Sequence, residues 1–316
     1  MASISTTFFR VVPTAKPEKI KPTATVLKQM RDDAFEMTVF DVGPGEAILL
    51  RRRQLAVLVD GGAGGRKEHT ALGAALAGYI RAKGIKLAAI VASHPHQDHL
   101  NALSTLLTVD GPPILANNAK YFENGEDMSD SLTDTLGVVL SRAGSQPPST
   151  VGLEEPLFSL GDVKIRMAVD DDRALEHRPK YRSVFMAVTF RNARFLLTGD
   201  AYEEYENALL KFLAGNDTRQ DVLKITHHGS HDGTSRKFAN SATPRISVAS
   251  TAGDSGHDLA DRVKRALRPH GWIYHTASTK GDVRIRTDGN QRSLNGRQGI
   301  LYEVQQFRPG RLKPHL

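Results

Sequence analysis

His94-Pro95-His96-Gln97-Asp98-His99 ends an apolar run and opens a polar loop, and four metal-capable side chains fall within these six residues. The run before it, Leu87-Ala88-Ala89-Ile90-Val91-Ala92, reads as a short buried strand, and Leu100 to Leu107 reads as a helix. Side chains two apart on an extended chain point the same way, so His94 and His96 are expected to grip one cation. Asp98 and His99 lie past the bend and face a second. Buried imidazoles and carboxylates at this density are costly unless a cation satisfies them.

Two further clusters follow the same plan. Leu196-Leu197-Thr198-Gly199-Asp200 is an apolar strand ending on a carboxylate. Alone, Asp200 fits a helix cap before Tyr202; beside the first cluster it fits a ligand bridging two cations. Val222-Leu223-Lys224-Ile225-Thr226-His227-His228-Gly229-Ser230 delivers adjacent histidines into a glycine turn. Neighbours on a strand diverge, so one of His227 and His228 is expected to ligate and the other to bond substrate or donate a proton. His231, Asp232 and Ser235 continue as a polar turn.

Around these clusters, apolar runs at 35–42, 47–50 and 55–59 read as strands, with a turn at Gly43-Pro44-Gly45 and another at Asp60-Gly61-Gly62. Residues 71–82 read as a helix and 117–150 as less regular, with a helix expected over Ser131 to Arg142. Strands at 163–168, 184–190, 194–197, 222–225, 246–249, 272–275, 283–286 and 300–304 alternate with helices at 202–213 and 258–267. That order suggests two sheets with helices outside both. Residues 1–34, where Pro13, Pro17 and Pro22 alternate with lysines, read as an arm, disordered or docked on the body or a protein partner. Residues 35–305 form the organised domain, and 306–316 read as a basic tail.

At 316 residues and 40% hydrophobic composition the chain can bury a substantial core. It has no cysteine, which excludes disulfides and thiolate ligands and fits a cytoplasmic location. Histidine, carboxylate and water suit zinc, manganese or iron. The net charge of +7 favours an anionic partner such as nucleic acid. No apolar stretch approaches the length of a membrane span, and the first residues lack a secretory pattern, so no membrane insertion is expected.

The three clusters, in this order, resemble the metallo-β-lactamase fold superfamily. Residues 94–99 match its histidine-rich hallmark, Asp200 its bridging aspartate and His227-His228 its last histidine position. Phe40-Asp41-Val42-Gly43-Pro44-Gly45-Glu46-Ala47 is similar to the DVGQGDA signature of the hydrolase domain of ComEC-type DNA-uptake proteins. Val59–Gly62, Leu196–Asp200 and Leu223–Ser230 fit the same branch. The signature's glutamine and aspartate are Pro44 and Glu46 here, and Asn101-Ala102 replaces a usual glycine pair. Between the first cluster and Asp200 stands only His177, in a charged loop. The membrane channel that accompanies this domain in DNA-uptake proteins is not expected.

The resemblance, which spans about residues 35–305, implies an α/β, four-layer αββα sandwich and a hydrolase with two divalent ions, zinc first. His94, His96 and Asp200 are expected at one ion. Asp98, His99, Asp200 and one of His227 or His228 are expected at the other, with Asp98 also suited to orienting water. Asp60 and Asp41 are expected to brace the ligand loop from behind. The expected substrate is a nucleic-acid phosphodiester, with Ser230, Arg51 and Arg53 as candidate contacts and Arg52, Arg262, Lys264, Arg265 and Arg268 as further backbone contacts. A small phosphodiester, ester, amide or lactone is the alternative substrate. A metal-binding subunit of a larger assembly is the alternative role.

Overall fold

Strand periodicity sorts the apolar residues onto two faces. Ile48, Leu50, Val57 and Val59 pack into one buried cluster, while the intervening Leu49, Ala56 and Leu58 pack into another. A sheet buried on both faces needs such unbroken apolar runs and must lie between two other layers. The computed structural model describes residues 4–12, 14–63, 66–124, 149–151, 157–169, 182–214, 218–252, 258–277 and 281–307. The helix expected at Ser131–Arg142, His177 and residues 308–316 lie outside them.

The first sheet contains β1 (Ile4–Val12), β2 (Ala15–Ile20), β3 (Phe35–Val39), β4 (Ile48–Arg52), β5 (Leu55–Val59), β6 (Lys86–Val91), β7 (Leu115–Glu123), β8 (Ser149–Thr150), β16 (Val283–Thr287), β17 (Gln291–Leu294) and β18 (Arg297–Phe307). Its order is β2-β1-β18-β16-β3-β4-β5-β6-β7-β8, with β17 on β18. The second contains β9 (Leu157–Leu160), β10 (Val163–Val169), β11 (Val184–Phe190), β12 (Ala193–Leu197), β13 (Val222–Lys224), β14 (Ile246–Ala249) and β15 (Trp272–His275), in the order β15-β14-β13-β12-β11-β10-β9.

The inner faces meet in one core, with Phe35, Met37 and Ile285 from the first sheet and Ile165, Met186 and Phe195 from the second. Each such side chain contributes about 1.5–3 kcal/mol through burial. Outside the first sheet, α2 (Arg66–Ala82) and α4 (Leu103–Thr108) cover Leu49 and Ile90 with Leu76, Ile80, Leu103 and Leu106. Outside the second, α5 (Glu206–Leu213), α6 (Arg236–Ala242) and α7 (Asp261–Leu267) cover Leu223 and Ile225 with Leu209, Phe238 and Val263. The result is the expected four-layer αββα sandwich.

The helix expected over Leu100 to Leu107 is instead divided into α3 (Gln97–Leu100) and α4. At the chain start, the described residues dock on the body, one of the alternatives the sequence offered: β1 pairs antiparallel with β18 from Ile4↔Phe307 to Val11↔Ile300. α1 (Ala24–Asp32) packs Met30 against Leu294 and Leu301. Proline hid this, because Pro17 lies on β2, where a sheet edge tolerates its missing N–H. Gln306 and Phe307, expected in the basic tail, belong to β18, which runs to Phe307.

Candidate metal centre

Parallel strands end together. β5 and β6 are parallel neighbours in one sheet, and β12, β13 and β14 are parallel neighbours in the other. The loops leaving their C-terminal ends carry Asp60, His94–His99, Asp200, His227-His228 and Ser250. The crevice beyond such strand ends is where open α/β sheets present their chemistry.

Asp60 fixes two histidines at once. It is fully buried and leaves β5 with φ +57°, turned so that Oδ1 accepts from Ser93 N–H at 2.7 Å and Oδ2 from Ser93 Oγ at 2.7 Å. Its Oδ2 also meets His99 Nδ1 at 2.8 Å, and Ser93 Oγ meets His94 Nδ1 at 3.0 Å. With Nδ1 of both rings engaged there, each Nε2 is aimed away from Asp60 into the crevice.

Asp200 is the hub. Its Oδ2 lies 3.8 Å from His94 Nε2, 3.3 Å from His99 Nε2, 3.9 Å from His227 Nε2 and 3.4 Å from His228 Nε2. Its Oδ1 is buried without a hydrogen-bond partner among the described residues. Burial pushes the Asp200 carboxyl up, but the facing His228 and His99 outweigh it and hold it well below the usual carboxylate range. Burial, reinforced by His99, pushes His94 well below its usual value, so its ring stays neutral. His99 goes the other way: burial opposes its charge, and Asp200 and Asp60 prevail.

The turn at Thr226–Gly229 presents the two histidines differently. His227 (φ +45°) and His228 (φ +53°) are both left-handed, a conformation costing roughly 1–2 kcal/mol per non-glycine residue. His228 Nδ1 faces the Ser250 carbonyl at 3.1 Å, which turns Nε2 to within 3.2 Å of His99 Nε2. His227 Nδ1 bonds Asp232 Oδ1 at 2.9 Å, and its ring packs on Tyr202. Ser230 closes the turn through its N–H to the His227 carbonyl.

Three groups of side chains converge closely enough to hold a cation: His94, His99 and Asp200; Asp98, His99 and His228; and Glu46, Asp200 and His228. The donors fit a divalent ion: one oxygen of the buried Asp200 carboxylate faces imidazole nitrogens, and the other has no hydrogen-bond partner among the described residues. Glu46 is the exception, because its Oε2 is ion-paired with Lys224. His96 belongs to none of these groups among the described residues. Its Nδ1 nevertheless lies 2.9 Å from His94 Nε2, and its own backbone stays extended (φ −70°, ψ 144°) as the N-cap of α3. His94 thus stands beside both His96 and His99.

Three expected site residues stand elsewhere. Arg51 and Arg53 lie in the β4–β5 hairpin, where Arg51 Nε donates to the Arg53 carbonyl. The five residues of β5 separate that hairpin from Asp60, roughly 17 Å at strand rise. Asp41 does not brace the ligand loop. Its N–H donates to Asp282 Oδ1 at 2.8 Å, beside the β3–β16 pair Val39↔Val283.

Burial, and then the Asp282 carboxylate, push the Asp41 carboxyl up to about 7. The folded state thus binds a proton that the unfolded chain releases near 3.8, so stability falls as pH rises from about 4 to 7. Asp41→Asn is expected to remove that fall and to raise stability at pH 8, by about 4 kcal/mol at most. Urea unfolding at pH 5 and pH 8 checks it: an unchanged pH slope in the variant refutes the assignment.

Glu46 and Lys224 were not expected. Both are fully buried, and they join the two halves of the sandwich directly beneath the histidines. Glu46 N–H donates to the Asp98 carbonyl, and a Cβ on Gly62 would come within 2.2 Å of the Asp98 backbone. Lys224 was legible as a lone charge inside an apolar strand, a position that demands a partner.

Residues 40–253 match the profile of a family described as the metallo-beta-lactamase superfamily. Over 240 residues the chain is 25% identical to Competence protein ComA of Neisseria gonorrhoeae, covering 74% of this chain and 30% of that protein. It is 25% identical to Recombination protein 2 of Haemophilus influenzae over 231 residues, 72% of this chain and 26% of that one. The chain thus spans less than a third of the length of these curated relatives. It is also similar to the metallo-beta-lactamase fold protein YhfI from Bacillus subtilis (TM-score 0.49, 14% identity, 77% of this chain and 97% of that one). Among the described residues no helix is long and apolar enough to cross a membrane.

Proposed function

This chain belongs to the metallo-beta-lactamase superfamily of metal-dependent hydrolases, and from that premise we propose that it hydrolyses phosphodiesters, with a nucleic-acid strand as substrate. The observation that carries the reading is the Asp200 carboxylate, one oxygen facing four histidines and the other without a partner. Held by His94, His96, His99, Asp200, Asp98 and His228, two divalent ions, zinc by preference for imidazole donors, would supply Lewis acidity toward a phosphoryl oxygen and lower the pKa of water.

The remaining roles fall to the protein's own groups. Asp60, directly and through Ser93, keeps His99 and His94 in the tautomer that offers Nε2. Asp98, partly exposed at the crevice, orients the attacking water. His227, steadied by Asp232 on Nδ1, donates a proton from Nε2 to the leaving oxygen. The choice of a nucleic acid rests on the +7 charge and on similarity to relatives whose names refer to competence and recombination.

The test is hydrolysis of bis-p-nitrophenyl phosphate, single-stranded DNA, plasmid DNA and RNA by EDTA-dialysed protein, before and after addition of zinc, manganese or iron. Metal-restored cleavage of the polymers supports the reading. Cleavage of the small ester alone narrows the substrate to small phosphodiesters. Reconstituted protein that cleaves none of the four refutes it.

A further inference from the structure

The phosphodiester reading leaves open what holds a long substrate, and the surface beside the histidine turn bears on that. α7 is docked on the turn itself: Ala260 N–H donates to the Gly229 carbonyl at 2.9 Å, and Leu259 fills the space where a Gly229 Cβ would stand. α6 starts directly after the same turn. Between these helices lies a groove of about 450 Å³ lined by Arg236, Arg262, Arg265 and Ala266. All three arginines are exposed. Arg236 and Arg265 form no hydrogen bond or ion pair among the described residues. Arg262 is paired with the exposed Glu203 at 2.5 Å, a type of contact that contributes little in water and yields readily to another anion.

Arg262 also lines the neighbouring cleft of about 390 Å³, together with Tyr202, Glu203, Glu204, His231 and Asp232. Asp232 and Tyr202 both contact the His227 ring. The arginine groove therefore opens, through one shared residue, onto the edge of the candidate metal centre. Glu203 and Glu204 supply the acidic side of the connecting cleft, which leaves the α7 side to an anionic chain.

We propose that the groove formed by Arg236, Arg262 and Arg265 binds the sugar–phosphate backbone of the nucleic-acid strand whose scissile phosphate lies at the histidines. Three like charges around one groove repel one another and favour an anion between them. Guanidinium forks match phosphate oxygens, and no stacking platform lines the groove, so the contact is independent of sequence. This inference rests on the phosphodiester reading and goes beyond it, since it requires a substrate several nucleotides long rather than a single diester.

The test uses the full chain, stripped of metal with EDTA, and fluorescence anisotropy of a labelled single-stranded 20-mer over a salt series. Arg236→Ala/Arg262→Ala/Arg265→Ala is expected to weaken binding at least about tenfold and to reduce the slope of log affinity against log salt by about 2. Arg51→Ala/Arg53→Ala, which removes two charges at the far hairpin, controls for net charge and is expected to change affinity less than about twofold. If the triple variant is poorly folded, Arg265→Glu replaces it, with the same direction of effect. Equal losses in both variants, no loss in either, or no binding by the unaltered chain overturns the groove. Binding through the groove without cleavage on metal restoration would sink the catalytic reading and leave the groove standing. Cleavage with an unchanged KM in the triple variant would do the reverse.

Discussion

Asp200→Ala is expected to lower metal-dependent phosphodiester hydrolysis by about 10³-fold or more, the scale on which losing one preorganised charge-stabilising group acts. Its metal content by mass spectrometry should fall in parallel. Among the described residues, no other carboxylate oxygen is shared by His94, His99, His227 and His228. The fold is expected to survive, because backbone bonds anchor this loop: Asp200 N–H donates to Ser183 Oγ, and His227 N–H to the Gly199 carbonyl. An unchanged far-ultraviolet circular dichroism spectrum with activity gone is the expected pair of readings. Full activity in metal-stripped Asp200→Ala protein would end the proposed mechanism.

The second large effect concerns stability. Lys224→Met should cost roughly 3–5 kcal/mol, the penalty for leaving one buried charge without its partner. Glu46 is 1% exposed and has no route to water if the ammonium is lost. The double variant Glu46→Gln/Lys224→Met removes both charges and should recover most of the loss, since a buried ion pair is worth little against well-packed neutral groups. Urea unfolding of the three proteins measures this directly. A single variant as stable as the parent would show that the pair is dispensable.

The sheet interiors and the ligand loops were legible for a local reason. Val184–Phe190 and Ile246–Ala249 were read at their observed bounds because unbroken apolar runs between turn residues leave few alternatives. The ligand loops stood out because acid and imidazole groups ended those runs. What stayed hidden depends on distant partners. β7 carries Asn117, left-handed Asn118 and Lys120, and its register against β6 slips between Leu87↔Leu115 and Ala89↔Lys120. Such a bulge erases the alternation that marks a strand. The closeness of His94 to His99 as well as to His96 follows from the bend at Pro95, which two-residue spacing does not register. Asp41 looked like a buttress from its motif, and only the return of residue 282 beside it shows the different surroundings.

The pairing of the first strand with the last sets the order in which this sheet can close. Ile4 meets Phe307, so β1, which can pair early with β2, waits about 300 residues before its second partner exists. At ordinary rates of synthesis that interval is roughly 15–60 s. During it Phe9, which ends up wholly buried, has no native neighbour across β18. Contacts of such separation slow barrier crossing in the test tube as well. Nascent chains should therefore depend on chaperone protection until residue 307 has left the ribosome, with the amino-terminal hairpin the last piece to lock.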